Sequence, residues 1–146
     1  MDNQQSVPIA AACGQLAQTF AYGVDHGDIE SVVALFTADA TFERRGEVLR
    51  GQDQIRAALN QRSRSVLTRH LCSPSCVEVL SPDQARGITY FQFHRHEWPA
   101  GAPAEGEVAP LGAAQAIGEY HDEFVRTTDG WRIRMRVARI VLRQAD

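Results

Sequence analysis

Two apolar rhythms divide this chain. From Ile9 to Phe36 the apolar side chains recur at three- and four-residue steps, and from about Val66 to Leu142 they alternate with polar ones. A period near 3.6 marks helices with one buried stripe, and a period of two marks strands with one buried face. Helices first and then a run of long strands restrict the chain to an α+β design, a curved antiparallel β-sheet with three helices of the N-terminal half packed on it. A sheet curved into a cone leaves its interior as a natural ligand pocket. The chain has 146 residues, 44% of them hydrophobic, so one domain spanning residues 1–146 with a sizeable core is expected.

The first helix is expected to start at Ser6-Val7-Pro8 and run for roughly 17 residues, burying Ile9, Ala12, Cys13, Leu16, Phe20 and Val24. His26-Gly27 ends it, glycine supplying the left-handed C-terminal residue. Asp28 caps a second helix whose inner face is Ile29, Val32, Val33, Leu35 and Phe36. Asp39 to Phe42 and Glu47 to Leu49 read as short strands around Arg45-Gly46. Gly51-Gln52-Asp53 opens a third helix with Ile55, Ala58 and Leu59 inside. Val66 to Leu80 is extended, with a break at Ser73-Pro74. Ala85 to Trp98 and Ala113 to Arg126 are long strands. Thr127-Thr128-Asp129-Gly130 is a hairpin turn into the last strand, Trp131 to Leu142. There Trp131, Ile133, Met135 and Val137 alternate with Arg132, Arg134 and Arg136, which predicts arginines on a solvated or subunit-facing surface, paired with Glu43, Glu47, Glu119 or Glu123. Pro99 to Gly112 reads as a long loop over one end of the sheet, placed to cover the mouth of the cone.

Several function classes are excluded early. The formal net charge of −3 gives no drive toward nucleic acid or an anionic membrane. No apolar run approaches the roughly 18 residues of a membrane span. Met1 to Ser6 does not read as a signal peptide. Cys13, Cys72 and Cys76 are an odd set without a disulfide framework, which predicts reduced thiols and a cytoplasmic location. There is no glycine-rich phosphate loop, dinucleotide fingerprint or nucleophile elbow, so no nucleotide cofactor is expected.

The chemistry concentrates on Asp25 and His70. Asp25 sits at the corner between two helices, where a carboxylate can turn inward, and His70 lies in Thr68-Arg69-His70-Leu71. A carboxylate bonded to one imidazole nitrogen fixes the tautomer and makes the other nitrogen a base, able to take a proton from carbon beside a carbonyl or a leaving group. A further group must then stabilise the enolate or protonate the departing oxygen, and His96, His121, Tyr22 and Arg44 are the candidates. His94 and His96 share one face of their strand, and His121 shares its face with Ile117, Glu119 and Val125. If these faces point inward, His70, His96 and His121 converge near Asp25. Phe42, Phe91, Phe93, Trp98 and Tyr120 supply apolar walls on whichever face points in, and Tyr22, His94 and Glu119 complete the candidate substrate contacts. A metal site of His94, His96 and His121 with Glu105 is a rival reading, and His70 with Cys72 and Cys76 a weaker one.

An ordered set of short motifs runs from about residue 8 to residue 142. It comprises Tyr22-x-x-Asp25-x-x-Asp28, Leu35-Phe36-Thr37-Ala38-Asp39-Ala40, Leu49-Arg50-Gly51-x-x-x-Ile55, Thr68-Arg69-His70, Tyr120-His121-Asp122-Glu123 and Asp129-Gly130-Trp131-Arg132-Ile133. The set resembles the SnoaL-like branch of the nuclear-transport-factor-two-like superfamily, and within it the scytalone dehydratase and lindane dehydrochlorinase group. The resemblance implies a cone-shaped, cystatin-like α+β barrel that assembles as a homodimer or homotrimer. It also implies an Asp–His dyad at Asp25 and His70 that eliminates water or HCl without a cofactor. A second family histidine falls near His94 or His96, and a polar pair near Glu119 and His121. Two tyrosines that hold a water in scytalone dehydratase correspond here to Val24 and Arg44, so the electrophilic end departs from that enzyme.

The expectation is therefore a cofactor-independent dehydratase-type lyase or an isomerase acting on a small cyclic, aromatic, polyketide-like or steroid-like molecule. Asp25, His70, His96 and His121 are its catalytic candidates, and no metal is called for. The alternatives are a non-catalytic ligand-binding or assembly domain of the same fold, and a metal-dependent enzyme using His94, His96 and His121.

Overall fold

The computed structural model describes residues 2–145. Its helices are α1 (Asn3–His26), α2 (Ile29–Val33) and α3 (Gly51–Asn60). Its strands are β1 (Phe36–Arg44), β2 (Glu47–Arg50), β3 (Val66–Cys72), β4 (Cys76–Ser81), β5 (Gln84–Glu97), β6 (Ala116–Thr127) and β7 (Gly130–Arg143). Among the described residues no helix is long and apolar enough to cross a membrane.

α1 begins earlier than Ser6 because Asp2 is the cap: its carboxylate accepts a hydrogen bond from the Gln5 N–H at 3.0 Å. Pro8 then lies inside the helix, on an exposed turn where one missing backbone donor is readily solvated. Gly27, at φ 71°, ends α1, and the Asp28 N–H returns to the Gly23 carbonyl at 2.9 Å. Gly23 also lets α2 approach, since a Cβ there would stand 2.5 Å from Val32 Cγ2. α2 stops at Val33, and Phe36 buries its ring from the start of β1 instead of the end of a helix.

The sheet runs β2-β1-β7-β6-β5-β3, with β4 pairing β5 beyond the end of β3. It is mixed, because β1 runs parallel to β7 while every other pair is antiparallel. The chain leaves β2 through α3 and the β3–β6 strands before returning as β7, so β1 receives its partner by a long crossover that a local strand reading does not reveal. α1 crosses β3, β4 and β5, and α3 packs against β1. The core fills the space between, from Phe20, Val32 and Phe36 to Ile55, Phe124 and Ile133.

β7 corrects the alternation expected of its arginines. The β6–β7 register passes from Phe124↔Ile133 to Glu123↔Met135, leaving Arg134 as an extra residue, and a second shift near Ile117/Gly118 adds another. Each bulge reverses which parity points inward. Ile133 and Arg136 consequently share the inner face, and Arg136 is fully buried. It forks onto Asp122 with Nε and Nη2 each 2.7 Å from a carboxylate oxygen. Its guanidinium carbon lies 4.3 Å from the Phe20 ring centroid and 4.1 Å from that of Tyr120. Arg134 remains outside and pairs with Glu123, as the alternation predicted.

Candidate active site

Asp25 is carried by the last turn of α1, and Thr68 and His70 stand on one face of β3, which α1 crosses. Asp25 Oδ1 accepts from Thr68 Oγ1 at 2.7 Å and from His70 Nδ1 at 2.7 Å. Oδ2 accepts from the His70 backbone N–H at 2.7 Å. Both carboxylate oxygens are thus occupied, and the helix end is fastened to the strand. Burial disfavours the charged form of Asp25, but the hydrogen bonds and charge of His70, with Thr68, outweigh it and hold the carboxyl below its ordinary range. A carboxylate can only accept, so His70 donates from Nδ1 and its Nε2 is left as the lone-pair nitrogen.

The His70 ring is tilted against Phe93 at 4.8 Å between centroids and Phe91 at 5.9 Å. These three side chains line a cavity of about 900 Å³ together with Phe20, Val24, Phe42 and Tyr120. Phe91 stacks on Tyr120 at 4.4 Å, which gives that wall a flat aromatic surface. Gly118 makes this possible, since a Cβ there would come within 2.2 Å of the Phe91 ring. A second hollow of about 510 Å³ lies between α1 and β3, where Asp25 and His70 meet Tyr22, His26 and Arg69.

Of the side chains expected around the dyad, Phe42, Arg44, Phe91, Phe93 and Tyr120 line the larger cavity. Tyr22 does not: it is 66% exposed, stacks on His26 at 4.0 Å, and borders only the smaller hollow. The convergence of His96 and His121 on Asp25 is corrected as well. Phe91 and Phe93 point inward, so Arg95 and Glu97 follow them and His94 and His96 take the outer face of β5. His94 lies 3.2 Å from Gln92, and His96 packs edge-on against Trp98, which also stays off the cavity wall. On β6 the inner residues are Gly118, Tyr120, Asp122 and Phe124, so Glu119 and His121 face out, bonded to each other at 2.7 Å. Among the described residues no three His, Cys, Asp or Glu side chains group closely enough to hold a metal ion, so His94, His96, His121 and Glu105 do not form the rival site. The segment Pro99–Gly112 contributes no residue to the cavity wall.

Sequence reasoning missed Thr68, Arg62, Arg95 and Arg136. The spacing Thr68-x-His70 was a usable signal, because residues two apart on a strand share a face. Arg95 became visible only once the inward faces of Phe91 and Phe93 fixed the parity of β5.

The SnoaL-like domain family matches residues 5–137. This chain belongs to the SnoaL-like family. No functionally curated protein matches its sequence. Solved structures share its fold over most of its length. A candidate scytalone dehydratase from Novosphingobium aromaticivorans is 18% identical with a TM-score of 0.78, covering 98% of this chain and 91% of that one. A hexachlorocyclohexane dehydrochlorinase from Novosphingobium barchaimii is 18% identical with a TM-score of 0.74, covering 98% and 93%. A protein of unknown function from Mycobacterium tuberculosis is 27% identical with a TM-score of 0.72, covering 90% and 75%. Like these neighbours, the SnoaL-like chain sets helices on a curled sheet, and in it the sheet does not close into a complete barrel.

The hydrogen bonds at Asp25 make a prediction about stability. Its carboxyl is depressed on folding, so the stabilisation it contributes is fully present above the unfolded carboxylate range, near ~3.9, and fades as the pH falls through the folded value. Urea unfolding of the wild type and Asp25→Asn should therefore differ most at neutral pH and converge under acid. A gap that stays constant down to strongly acid pH would contradict the assignment.

Proposed function

We propose that this SnoaL-like protein is a cofactor-independent lyase or isomerase acting on a small cyclic molecule, with His70 as general base. The observation that carries the reading is the 2.7 Å bond from His70 Nδ1 to a buried carboxylate, made beside a large aromatic-walled cavity. Nε2 takes a proton from carbon beside a carbonyl, and the C–H electron pair becomes an enolate. In elimination that pair forms the new C=C bond while the leaving group departs with its own bonding pair. Where the leaving group is hydroxide, the proton on Nε2 passes to it and water is released. In isomerisation the proton returns to a different carbon of the enolate.

Charge must be stabilised at the substrate oxygen. Tyr120 lines the cavity. Burial, against the opposing pull of Arg136, drives its acidity far down, so it stays a neutral donor. Arg44, also on the wall, is the second candidate. Neighbours named for a dehydratase and a dehydrochlorinase agree with elimination as the reaction class. The resemblance sets Val24 and Arg44 against the two water-holding tyrosines of scytalone dehydratase, which argues for a different substrate from scytalone.

Incubation with a panel of cyclic ketones and β-hydroxy ketones in D₂O tests the proposal. Deuterium should enter the position beside the carbonyl, or water should be lost, faster than in buffer. Compounds that bind tightly yet show neither exchange nor elimination would replace the reading with that of a ligand-binding domain.

A further inference from the structure

The charge around the cavity differs from that of the whole chain. Formal net charge is −3, and all 15 basic side chains are arginines. Five of them, Arg44, Arg45, Arg62, Arg95 and Arg143, line this one cavity against a single carboxylate, Glu97. Outside it, Arg56 pairs with Glu30 and Asp53, Arg86 with Glu78, Arg134 with Glu123 and Arg136 with Asp122. Here Arg95 holds Glu97 at 2.9 Å and Arg44 lies 3.3 Å from Glu47, while Arg45, Arg62 and Arg143 meet no carboxylate within ion-pair distance among the described residues.

Arg62 is held in place. Its Nη1 donates to the Val24 carbonyl and its Nη2 to the Val66 carbonyl, each at 3.0 Å, so it bridges the end of α1 and the start of β3. Burial and the nearby Arg69 and Arg95 push against its charge, and only Asp25 favours it. Like charges around an apolar hollow repel one another and focus a positive field into it. That arrangement is unfavourable in the empty protein and becomes favourable when an anion enters. Guanidinium forks fit planar oxyanions, and a partly desolvated pair of this kind is among the stronger polar contacts.

We infer that the substrate is an acidic ring compound: its ring lies against Phe91, Phe93 and Tyr120 beside His70, and its oxyanion is held by the arginines that line the same cavity. The inference rests on the proposed function for the place of the ring, and it adds the charge and the polarity of binding. It also explains why an arginine stands at position 44.

Calorimetric titration with naphthoate and with neutral naphthamide tests it. Naphthoate should bind at least roughly tenfold more tightly, a difference of about 1.4 kcal/mol. Raising salt from about 20 mM to about 500 mM should erode that preference without weakening the amide. Arg45→Gln combined with Arg143→Gln, both exposed and outside the core, should remove most of it, and Arg62→Gln should do so while its amide still reaches a carbonyl. Naphthalenesulfonate and naphthyl phosphate identify which oxyanion fits best. His70→Ala should retain the acid preference even where proton transfer is lost, which separates a failure of this inference from a failure of the dyad. Equal affinity of acid and amide, or a preference unchanged in the arginine variants, would overturn it.

Discussion

Replacing His70 with alanine should lower the rate of proton transfer by roughly a hundred- to ten-thousand-fold, the usual contribution of a positioned general base, while ring compounds still bind. The loss falls on kcat because the imidazole acts on the proton in flight and supplies only one part of an aromatic wall. Asp25→Asn should be nearly as damaging. An amide can donate to Nδ1, which favours the tautomer with its proton on Nε2 and leaves no base toward the cavity. A His70→Ala protein that keeps more than about a tenth of the activity would exclude His70 as the base.

Asp122→Ala should be strongly destabilising. Arg136 is fully buried, and Asp122 supplies both of its charge-assisted bonds. Burial alone would push the guanidinium toward its neutral form, but Asp122 keeps it charged. Removing the carboxylate leaves a buried cation with only the Phe20 and Tyr120 rings for company, and breaking such a pair costs about 3–5 kcal/mol. For a domain of this size that lowers Tm by about 10 °C or more. Replacing both partners, Asp122→Leu with Arg136→Met, should recover much of the loss, because an apolar pair of similar volume carries no desolvation penalty. Thermal unfolding of the three variants decides the matter. A single Asp122→Ala protein within about 1 kcal/mol of wild type would mean that the cation finds other partners or solvent.

Much of this fold was legible because local signals and tertiary burial agree. The stripe from Ile9 to Val24, the Gly27 stop, the Ser73-Pro74 break and the Asp129-Gly130 turn all mark real boundaries. Asp25 and His70 could be paired across 45 positions because the resemblance placed both, and the Asp25 corner and the Thr68-x-His70 spacing fit one face-to-face contact. Parity was not legible where strands bulge. The alternation of Trp131 to Val137 with arginines is regular in sequence, yet one extra residue at Arg134 turns Arg136 from a surface charge into a core ion pair. Likewise His96 and His121 lie on strands whose inward faces belong to Phe93 and Tyr120, and aromatic burial outweighs the pull of imidazoles toward a shared site. The parallel β1–β7 pairing depends on the whole course of the chain, which no short window contains.

The most direct test of the dyad needs no substrate. Long-range ¹H–¹⁵N NMR of the His70 ring, at a pH where the imidazole is neutral, reports which nitrogen carries the proton. The structure predicts a protonated Nδ1 bonded to Asp25 and a bare Nε2, with this tautomer lost in Asp25→Asn. A proton on Nε2 in the wild-type protein would leave no base facing the cavity and would contradict the proposed chemistry at its centre.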